Sequence, residues 1–177
     1  MIIGKLQLQE EKHEYVHAEI FAMGGTLREH VLVSLNIAAS LKQRLRGTDC
    51  RAYMSDMKLQ VKTMDAFYYP DVIVSCNKND HQAEQYLSYP KLIVEVLSDS
   101  TEAYDRGAKF TAYRQLTSLE EYVLVDIKAR SVECFRRTAD NDWLLHVYTN
   151  TGVCDFVSLD VSIEMQEIFE VIVDHQQ

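Results

Sequence analysis

The sequence predicts an α/β protein with a mixed, largely central β-sheet flanked by two main helices. Three observations predict this class. Two segments carry apolar residues at the three- and four-residue spacing of amphipathic helices, several short segments are rich in β-branched and aromatic residues, and the strand-like segments lie before, between and after the helical ones. The length of 177 residues and the absence of a low-complexity linker predict one domain over residues 1–177.

The first predicted elements are a strand and a long helix. Residues 15–23 alternate enough to indicate a strand, and Gly24–Gly25 is suited to the turn after it. From Thr26 to Leu45 apolar residues recur at helical spacing. Gly47 is suited to ending that helix because glycine adopts the left-handed conformation without steric cost.

Strands and one polar loop fill the middle of the chain. Residues 50–56, 57–62 and 71–76 predict short strands, and the polar residues 77–89 predict a surface loop with about one helical turn. Residues 91–98, KLIVEVLS, predict the central strand, because a run of Leu, Ile and Val is typical of a strand covered on both faces.

The second half of the chain predicts another helix and four more strands. Residues 101–116 have helical spacing through Tyr104, Ala108, Tyr113 and Leu116, interrupted by Gly107. The four strand-like segments that follow are separated by hairpin-like distances; they are residues 121–127, 131–137, 143–149 and 153–159.

Composition excludes several classes of protein. An apolar fraction of 47% and a charged fraction of 25% are ordinary for a globular protein. No apolar run approaches the length of about 18 residues that spans a bilayer, and the N-terminus lacks a secretory pattern, so we expect a cytoplasmic protein without membrane contact. The four cysteines form no C-x-x-C pair, and we expect reduced, buried thiols; they are Cys50, Cys76, Cys134 and Cys154.

Charge is distributed unevenly along the chain. The net charge of −9 argues against a protein that coats nucleic acid through its overall field. Residues 26–62 nevertheless carry seven basic and three acidic side chains, whereas residues 138–177 carry eight acidic and no basic ones. Two interpretations stay open: an unevenly charged solvated surface, or a basic stretch that faces a polyanion.

Four tyrosines cluster around the two prolines of the chain. Tyr68 and Tyr69 precede Pro70, and Tyr86 and Tyr89 precede Pro90. Aromatic side chains at such positions either pack in a core or interface or stack on nucleic-acid bases. The sequence favours packing over stacking.

Two acidic residues at apolar strands suggest a metal site. Asp71 begins the segment DVIVSC, and Glu95 interrupts the apolar run of the central strand, where an ionised carboxylate needs a partner. If the two strands are neighbours, both carboxylates converge on one point. Two carboxylates suit a hard cation such as Mg²⁺, and a nearby lysine could then position or activate a water molecule for attack on a phosphodiester.

Several segments in a fixed order resemble a known family. They are "YPD", "IVEVLS", "STEAYDRGAKFTAYRQL" and "EYVLVDI", within a similarity that extends from residue 14 to at least residue 137. The sequence resembles the Uma family of restriction-endonuclease-like proteins, within the PD-(D/E)-x-K nuclease superfamily. The resemblance implies a restriction-endonuclease-like core with a central mixed sheet.

The resemblance also implies roles for particular residues. Asp71 and Glu95 match the two acidic metal ligands of the superfamily. The superfamily's lysine normally lies two residues after the second acid, where this chain has Leu97. Lys109 in the following helix matches its replacement, and His30 matches a histidine that could lie beside the metal. Glu14 and Glu19 match the family's pattern without an assigned role, and Asp99 stands where the family has proline.

The resemblance implies a function, partners and a cofactor. It implies an endonuclease that hydrolyses DNA with Mg²⁺ or Mn²⁺, with Asp71, Glu95, Lys109 and His30 at the site. It also implies a homodimer, since cutting both strands of a duplex requires two sites. Leu97 and the acidic surface keep a different class open: a nuclease-like fold that no longer cleaves and binds nucleic acid or protein instead.

Overall fold

The computed structural model describes residues 13–16, 19–22 and 27–170. Its strands, in chain order, are β1 (His13–Val16), β2 (Glu19–Ala22), β3 (Arg51–Met54), β4 (Lys58–Val61), β5 (Ala66–Tyr68), β6 (Val72–Ser75), β7 (Tyr86–Leu87), β8 (Leu92–Val96), β9 (Glu121–Asp126), β10 (Ser131–Arg137), β11 (Trp143–Thr149), β12 (Val153–Phe156) and β13 (Val161–Glu164). Its helices are α1 (Arg28–Arg44), α2 (Lys78–Gln82), α3 (Glu102–Tyr104), α4 (Phe110–Tyr113) and α5 (Met165–Ile168). A π-helical turn (Asp105–Lys109) joins α3 to α4, so that residues 102–113 form one helical segment.

A six-stranded mixed sheet forms the centre of the protein. Its strand order is β11-β10-β9-β8-β6-β3, in which β8 and β9 are parallel and the other neighbouring pairs are antiparallel. All five residues of β8 are buried, Glu95 included. The predicted fold class and the central position of this strand are therefore confirmed.

Alternate residues of β8 face two separate hydrophobic cores. Val94 belongs to a core that contains Val33 and Ile37 of α1. Ile93 points to the opposite side, into a core that contains Tyr113 of the helical segment 102–113. The two predicted helices thus cover opposite faces of the sheet, because successive side chains of a strand point to opposite sides.

A second sheet covers the core on the side of the helical segment 102–113. Its strand order is β2-β1-β5-β4-β7, and β4 and β7 pair in parallel. The inner side chains of this sheet enter the second core; they are Leu59, Val61, Ala66, Tyr68 and Leu87. On the other side of the molecule the β12–β13 hairpin and α5 contribute Phe156, Ile163 and Ile168 to the first core.

Several element boundaries differ from those predicted. The single strand predicted for residues 15–23 is an antiparallel pair, β1 and β2. Helix α1 begins at Arg28, Thr26 lies outside the described residues, and Gly47 has the expected left-handed backbone with φ of 81°. Strands β5, β7 and β13 were not predicted, because each has four residues or fewer and too little periodicity to be recognised.

The second helix also differs in its buried face. Ala108, predicted on the apolar face, is exposed, whereas the charged residues Asp105 and Lys109 are buried. The π turn explains the difference, because it holds more residues per turn than an α-helix and so rotates the side chains that follow.

The prediction of four reduced cysteines was wrong for two of them. Cys50 and Cys76 form a disulfide with their Cα atoms 3.9 Å apart. The residues next to them, Arg51 and Ser75, are opposed in the β3–β6 ladder, so the ladder brings together two cysteines that lie 26 positions apart in the sequence. Cys134 and Cys154 are free and buried.

No helix in the described part of the chain combines the length and apolar character that a membrane span requires.

We expect the substitution Leu92→Ala to lower the free energy of unfolding by about 2–5 kcal/mol, because it leaves a cavity at a fully buried position of β8. The control Leu35→Ala, at a position on α1 that is 48% exposed, should change it by less than about 0.5 kcal/mol. Denaturant unfolding of both variants measures the difference, and equal effects would show that the central strand does not carry the core.

Candidate functional site

The register of two strands places Asp71 beside Glu95. Strands β6 and β8 are antiparallel with Val72 opposite Val94, so the next pair along the same register is Asp71 and Glu95. Side chains directly opposed in such a pair lie on the same face of the sheet, with Cβ atoms about 4.5–5.5 Å apart. The two carboxylates therefore line the same end of the central sheet.

Asp71 is held from two sides. Its Oδ2 accepts a hydrogen bond of 2.8 Å from the backbone N–H of Val96, and it lies 3.2 Å from Nε2 of His30. Burial lowers the pKa of His30, but the hydrogen bond and the charge of Asp71 outweigh burial, so the net pKa is raised above its ordinary value of 6.5. The first turn of α1 thus holds the histidine against the carboxylate.

One carboxylate oxygen of Glu95 accepts hydrogen bonds from two side chains. Its Oε1 accepts hydrogen bonds from Oη of Tyr113 at 2.8 Å and from Nζ of Lys109 at 3.2 Å. Burial raises the pKa of Glu95 well above its ordinary value, and the nearby carboxylates of Asp105 and Asp71 add to that rise while Lys109 opposes it. The charge partner of the acid in the central strand is therefore a lysine from the helical segment 102–113.

Lys109 is surrounded by three carboxylates. Its Nζ lies 3.2 Å from Oε1 of Glu95, 3.2 Å from Oδ1 of Asp105 and 3.3 Å from Oε1 of Glu14. Burial alone would lower the pKa of Lys109, but the three acids raise it well above its ordinary value. The lysine is therefore a buried ammonium ion at neutral pH.

The side chains of the first and last residues of the π turn both lie in the site. Asp105 and Lys109 are its first and last residues and are 2% and 5% exposed. The hydroxyl of Tyr122 donates a hydrogen bond of 2.9 Å to the backbone oxygen of Asp105 and so supports the turn. Burial is the main cause that raises the pKa of Asp105. The Oδ1 atom of Asp105 accepts no hydrogen bond from the described residues, and its charge partner is Lys109.

These side chains open into a cleft of about 600 Å³. The four residues predicted for the site all line it: His30, Asp71, Glu95 and Lys109. Leu97, which stands at the superfamily's usual lysine position, is 8% exposed and belongs to the second hydrophobic core. Asp99 is a solvent-facing carboxylate at the rim, where it pairs with Lys128.

Sequence reasoning missed two members of this cluster. Asp105 was not singled out, and Tyr113 was named only for its helical spacing. Both lie four positions from Lys109, the spacing at which helical side chains share a face, and this spacing was the available signal. Glu14 matched the family's pattern, and its carboxylate lies beside Lys109. The side chain of Glu19 is outside the described part of the structure.

The donor set is suited to a divalent cation. Within the described residues there is no group of three or more histidine, cysteine and carboxylate side chains arranged to hold a metal ion. Mg²⁺, however, is commonly bound by one or two carboxylates together with waters and substrate phosphates. Four carboxylates surround one lysine and one histidine at this site, so the site carries an excess of negative charge that a cation would neutralise.

Comparison with known proteins gives consistent results. The model of the Uma2 family, described as "Putative restriction endonuclease", matches residues 5–166. The chain is 37% identical over 161 residues to uncharacterized protein slr1290 of Synechocystis sp. (strain ATCC 27184 / PCC 6803 / Kazusa), covering 91% of this chain and 85% of the relative. It is 31% identical over 137 residues to uncharacterized protein sll1609 of the same strain, covering 76% and 77%.

A solved structure shares the fold. It is the crystal structure of "a putative nuclease belonging to DUF820" from Anabaena variabilis ATCC 29413. The TM-score is 0.74 over 90% of both chains, at 15% sequence identity. The chain therefore has a nuclease-like fold, as predicted.

We expect His30 to stabilise the metal-free protein in a pH-dependent way. Because its pKa is raised on folding, its contribution is fully present below about pH 6.5 and is lost as the pH rises through the folded-state pKa. The substitution His30→Gln should therefore cost more at about pH 5.5 than at about pH 8.5, by roughly 1 kcal/mol.

Urea unfolding in the presence of a chelator measures this difference. The control is His81→Gln, because the His81 ring lies beside the backbone oxygen of Ser75 rather than a carboxylate. An equal cost of His30→Gln at both pH values would contradict the coupling of His30 to Asp71.

Proposed function

Because this chain belongs to the Uma2 family of restriction-endonuclease-like proteins, we propose that it is a metal-dependent endonuclease that hydrolyses phosphodiester bonds of DNA. One observation carries the proposal: Asp71 accepts a hydrogen bond from the N–H of Val96, the residue after Glu95, and Lys109 lies 3.2 Å from Glu95. A pair of carboxylates with an adjacent lysine in one cleft is suited to metal-assisted hydrolysis of a phosphodiester, since the carboxylates can hold the cation and the lysine adds positive charge.

The proposed metal ligands are Asp71 and Glu95. A bound Mg²⁺ or Mn²⁺ would polarise a phosphoryl oxygen and lower the pKa of a water molecule. His30 and the Val96 N–H fix the orientation of the Asp71 carboxylate, and Tyr113 fixes that of Glu95. These contacts pre-organise both ligands from separate elements of the fold.

Lys109 takes the place of the lysine that Leu97 replaces. Since its pKa is raised, the ammonium group has no lone pair to accept a proton from water at neutral pH. Its role in the proposed reaction is electrostatic: it holds Glu95 in place, and its positive charge stabilises negative charge that develops on the phosphate.

A second candidate function is a nuclease-like module that binds nucleic acid or protein without cleaving. The favouring observation is that Lys109 already neutralises part of the charge of Glu95, Asp105 and Glu14, so the site is partly satisfied by the protein alone. The two functions differ in one measurable property, because the binding module needs no divalent cation at Glu95.

A homodimer is part of the proposal, and β11 supports it. This strand lies at one edge of the central sheet, has seven residues and contains no Lys, Arg, Asp or Glu. Leu144, Leu145 and Val147 are 65%, 45% and 48% exposed. An uncharged apolar edge of this length is a template for pairing with another strand, and antiparallel pairing with the same strand of a second copy gives two-fold symmetry.

The proposed unit is a single domain that acts in the cytoplasm. The family match runs without interruption over residues 5–166, which supports one domain. A DNA substrate supports an intracellular site of action. In a reducing compartment the bond between Cys50 and Cys76 is expected to open to two thiols.

The variants Asp71→Asn and Glu95→Gln should each lower the rate of Mg²⁺-dependent DNA cleavage by roughly 100-fold or more, because each removes one ligand charge without changing side-chain size. Cleavage of supercoiled and linear DNA followed on gels, with and without a chelator, measures the rate. The matched control is Asp99→Asn, a solvent-facing carboxylate of the same cleft, which should cleave within about threefold of the wild-type rate.

Circular dichroism and thermal unfolding must show that each variant is folded, because loss of one partner of a buried ion pair costs about 3–5 kcal/mol. Cleavage that is equal in the wild type and in both folded site variants would contradict the proposed nuclease. Absence of both cleavage and calorimetric Mg²⁺ or Mn²⁺ binding would instead favour the binding module.

The dimer proposal has its own test in solution. Light scattering during gel filtration should give twice the mass of the chain for the wild type and the mass of one chain for Leu145→Lys, because a charge on an edge strand opposes strand pairing. The control Leu35→Lys, on an exposed position of α1, should remain dimeric. A monomeric wild type, or a dimeric Leu145→Lys variant, would contradict an interface at β11.

A further inference from the structure

The outer face of the second sheet combines aromatic rings with a lysine. Inner and outer side chains alternate along its strands, as in any half-buried sheet. The outer side chains of β4 are Lys58 and Gln60, and those contributed by the chain around β5 and β7 are Phe67, Tyr69 and Tyr86. Lys58 and Tyr86 are exposed, and the other three are half-buried. This surface differs from an ordinary solvated sheet face, which is mainly polar.

The strand register arranges three of these residues in a row. Lys58 is opposite Tyr86 in the β4–β7 ladder. The β4–β5 ladder has Leu59 opposite Tyr68, so its next pair is Lys58 and Tyr69. The Lys58 Nζ lies 5.9 Å from the centre of the Tyr69 ring. With strands about 4.8 Å apart, the row Tyr69–Lys58–Tyr86 spans roughly 10 Å.

A second aromatic ring supports this row. Phe67 packs edge-on against Tyr86, with ring centres 5.5 Å apart. Phe67 is opposite Gln60 in β4 and opposite Tyr15 in β1, so the aromatic surface continues across the sheet. The rings are held by neighbours and lose little conformational freedom on binding, which favours stacking against a flat ligand.

The row connects two cavities. At one end Tyr69 lines the cleft that contains Asp71 and Glu95, and its backbone N–H donates a hydrogen bond of 3.3 Å to Oε1 of Glu14. At the other end Tyr86 lines a second cavity of about 260 Å³, together with Lys62 and Tyr89. Tyr86 and Tyr89 are 38% and 44% exposed. The surface is thus continuous with the candidate site.

Charge complementarity indicates the kind of ligand. Lys58 and Lys62 are exposed on a chain whose net charge is −9. The strand register puts Lys58 between Tyr69 and Tyr86 of the neighbouring strands, and Lys62 lines the second cavity together with Tyr86. Positively charged groups beside ring faces suit a polymer with phosphates along its backbone and flat bases, because bases stack on aromatic side chains and phosphates pair with lysine.

We propose that the Tyr69–Lys58–Tyr86 row binds a single-stranded segment of the DNA substrate, with bases on the tyrosine rings and phosphates at Lys58 and Lys62, and leads that strand into the cleft. The proposal rests on the proposed function in taking DNA as the substrate. It goes further in naming the form of the DNA, because in an intact duplex the base faces are covered by their neighbours and cannot stack on protein rings.

Fluorescence anisotropy tests the proposal, with a labelled oligodeoxythymidine of about 20 nucleotides and a duplex of equal length. A chelator is present, so that no cleavage occurs. The wild type should bind the single strand more tightly than the duplex. Tyr86→Ala should weaken single-strand binding by about fivefold or more, and Tyr86→Phe, which keeps the ring, should stay within about twofold.

The salt dependence of binding in a Lys58 variant is a second, independent test. Lys58→Ala should weaken binding and reduce the slope of log affinity against log salt by about 0.7, the value for one phosphate contact on a single strand. The matched control is Lys42→Ala, an exposed lysine of α1 on the opposite side of the central sheet, which should leave both the affinity and the slope unchanged. Thermal unfolding confirms that each variant is folded.

Three results would overturn the inference: no single-strand binding, equal affinity of Tyr86→Ala and the wild type, or tighter binding of duplex than of single strand. The outcome is separate from that of the proposed function. This inference alone is refuted if metal-dependent cleavage requires Asp71 but the affinity for the single strand is unchanged by substitution of Tyr86 and Lys58. Ring-dependent single-strand binding without any cleavage supports this inference and refutes the nuclease.

Discussion

The buried contact between Glu95 and Lys109 is the constraint on which the rest of the structure depends. A carboxylate in a fully buried strand is tolerated only with a charge partner and further hydrogen bonds, and Lys109 and Tyr113 supply them from one helical segment. That segment must therefore pack against β8 at a fixed position along the strand, next to Glu95. The π turn allows the lysine to point inward at that position while Asp105 enters the same site. The position of the second helix is thus tied to one acidic residue in the sheet as well as to the second hydrophobic core.

The same contact leaves the site short of positive charge. One ammonium group faces three carboxylates, and Asp71 with His30 stands next to them. Burial is the main cause that raises the pKa of Glu95 and of Asp105, and neighbouring carboxylates add to the rise. The proposed role of the site as a cation-binding centre rests on this imbalance of charge together with its position in the cleft. The family membership and the fold are consistent with that interpretation.

Much of the fold could be predicted from sequence because its long elements are strongly patterned. Helix α1 has a clear helical period, the strands around Glu95 are continuous apolar runs, and Asp71 and Glu95 stand out as charges at those runs. Three features could not be predicted, each because it depends on register or on local helix geometry. The disulfide of Cys50 with Cys76 depends on the β3–β6 ladder, the burial of Asp105 depends on the π turn, and the aromatic row depends on strands of two to four residues. Lys109 was identified by family resemblance, since nothing in its own neighbourhood separates it from a surface lysine.

The absence of lysine at position 97 has a mechanical consequence. A lysine two residues after Glu95 would be part of the same strand and would keep its distance from the acid as long as the sheet is intact. In this chain the two charges belong to different elements, a central strand and a helical segment that packs on it through the second hydrophobic core. The distance between the ammonium group and the carboxylate is therefore set by how the helical segment packs on the sheet. A change of packing in the second core could move Lys109 without altering either charged residue.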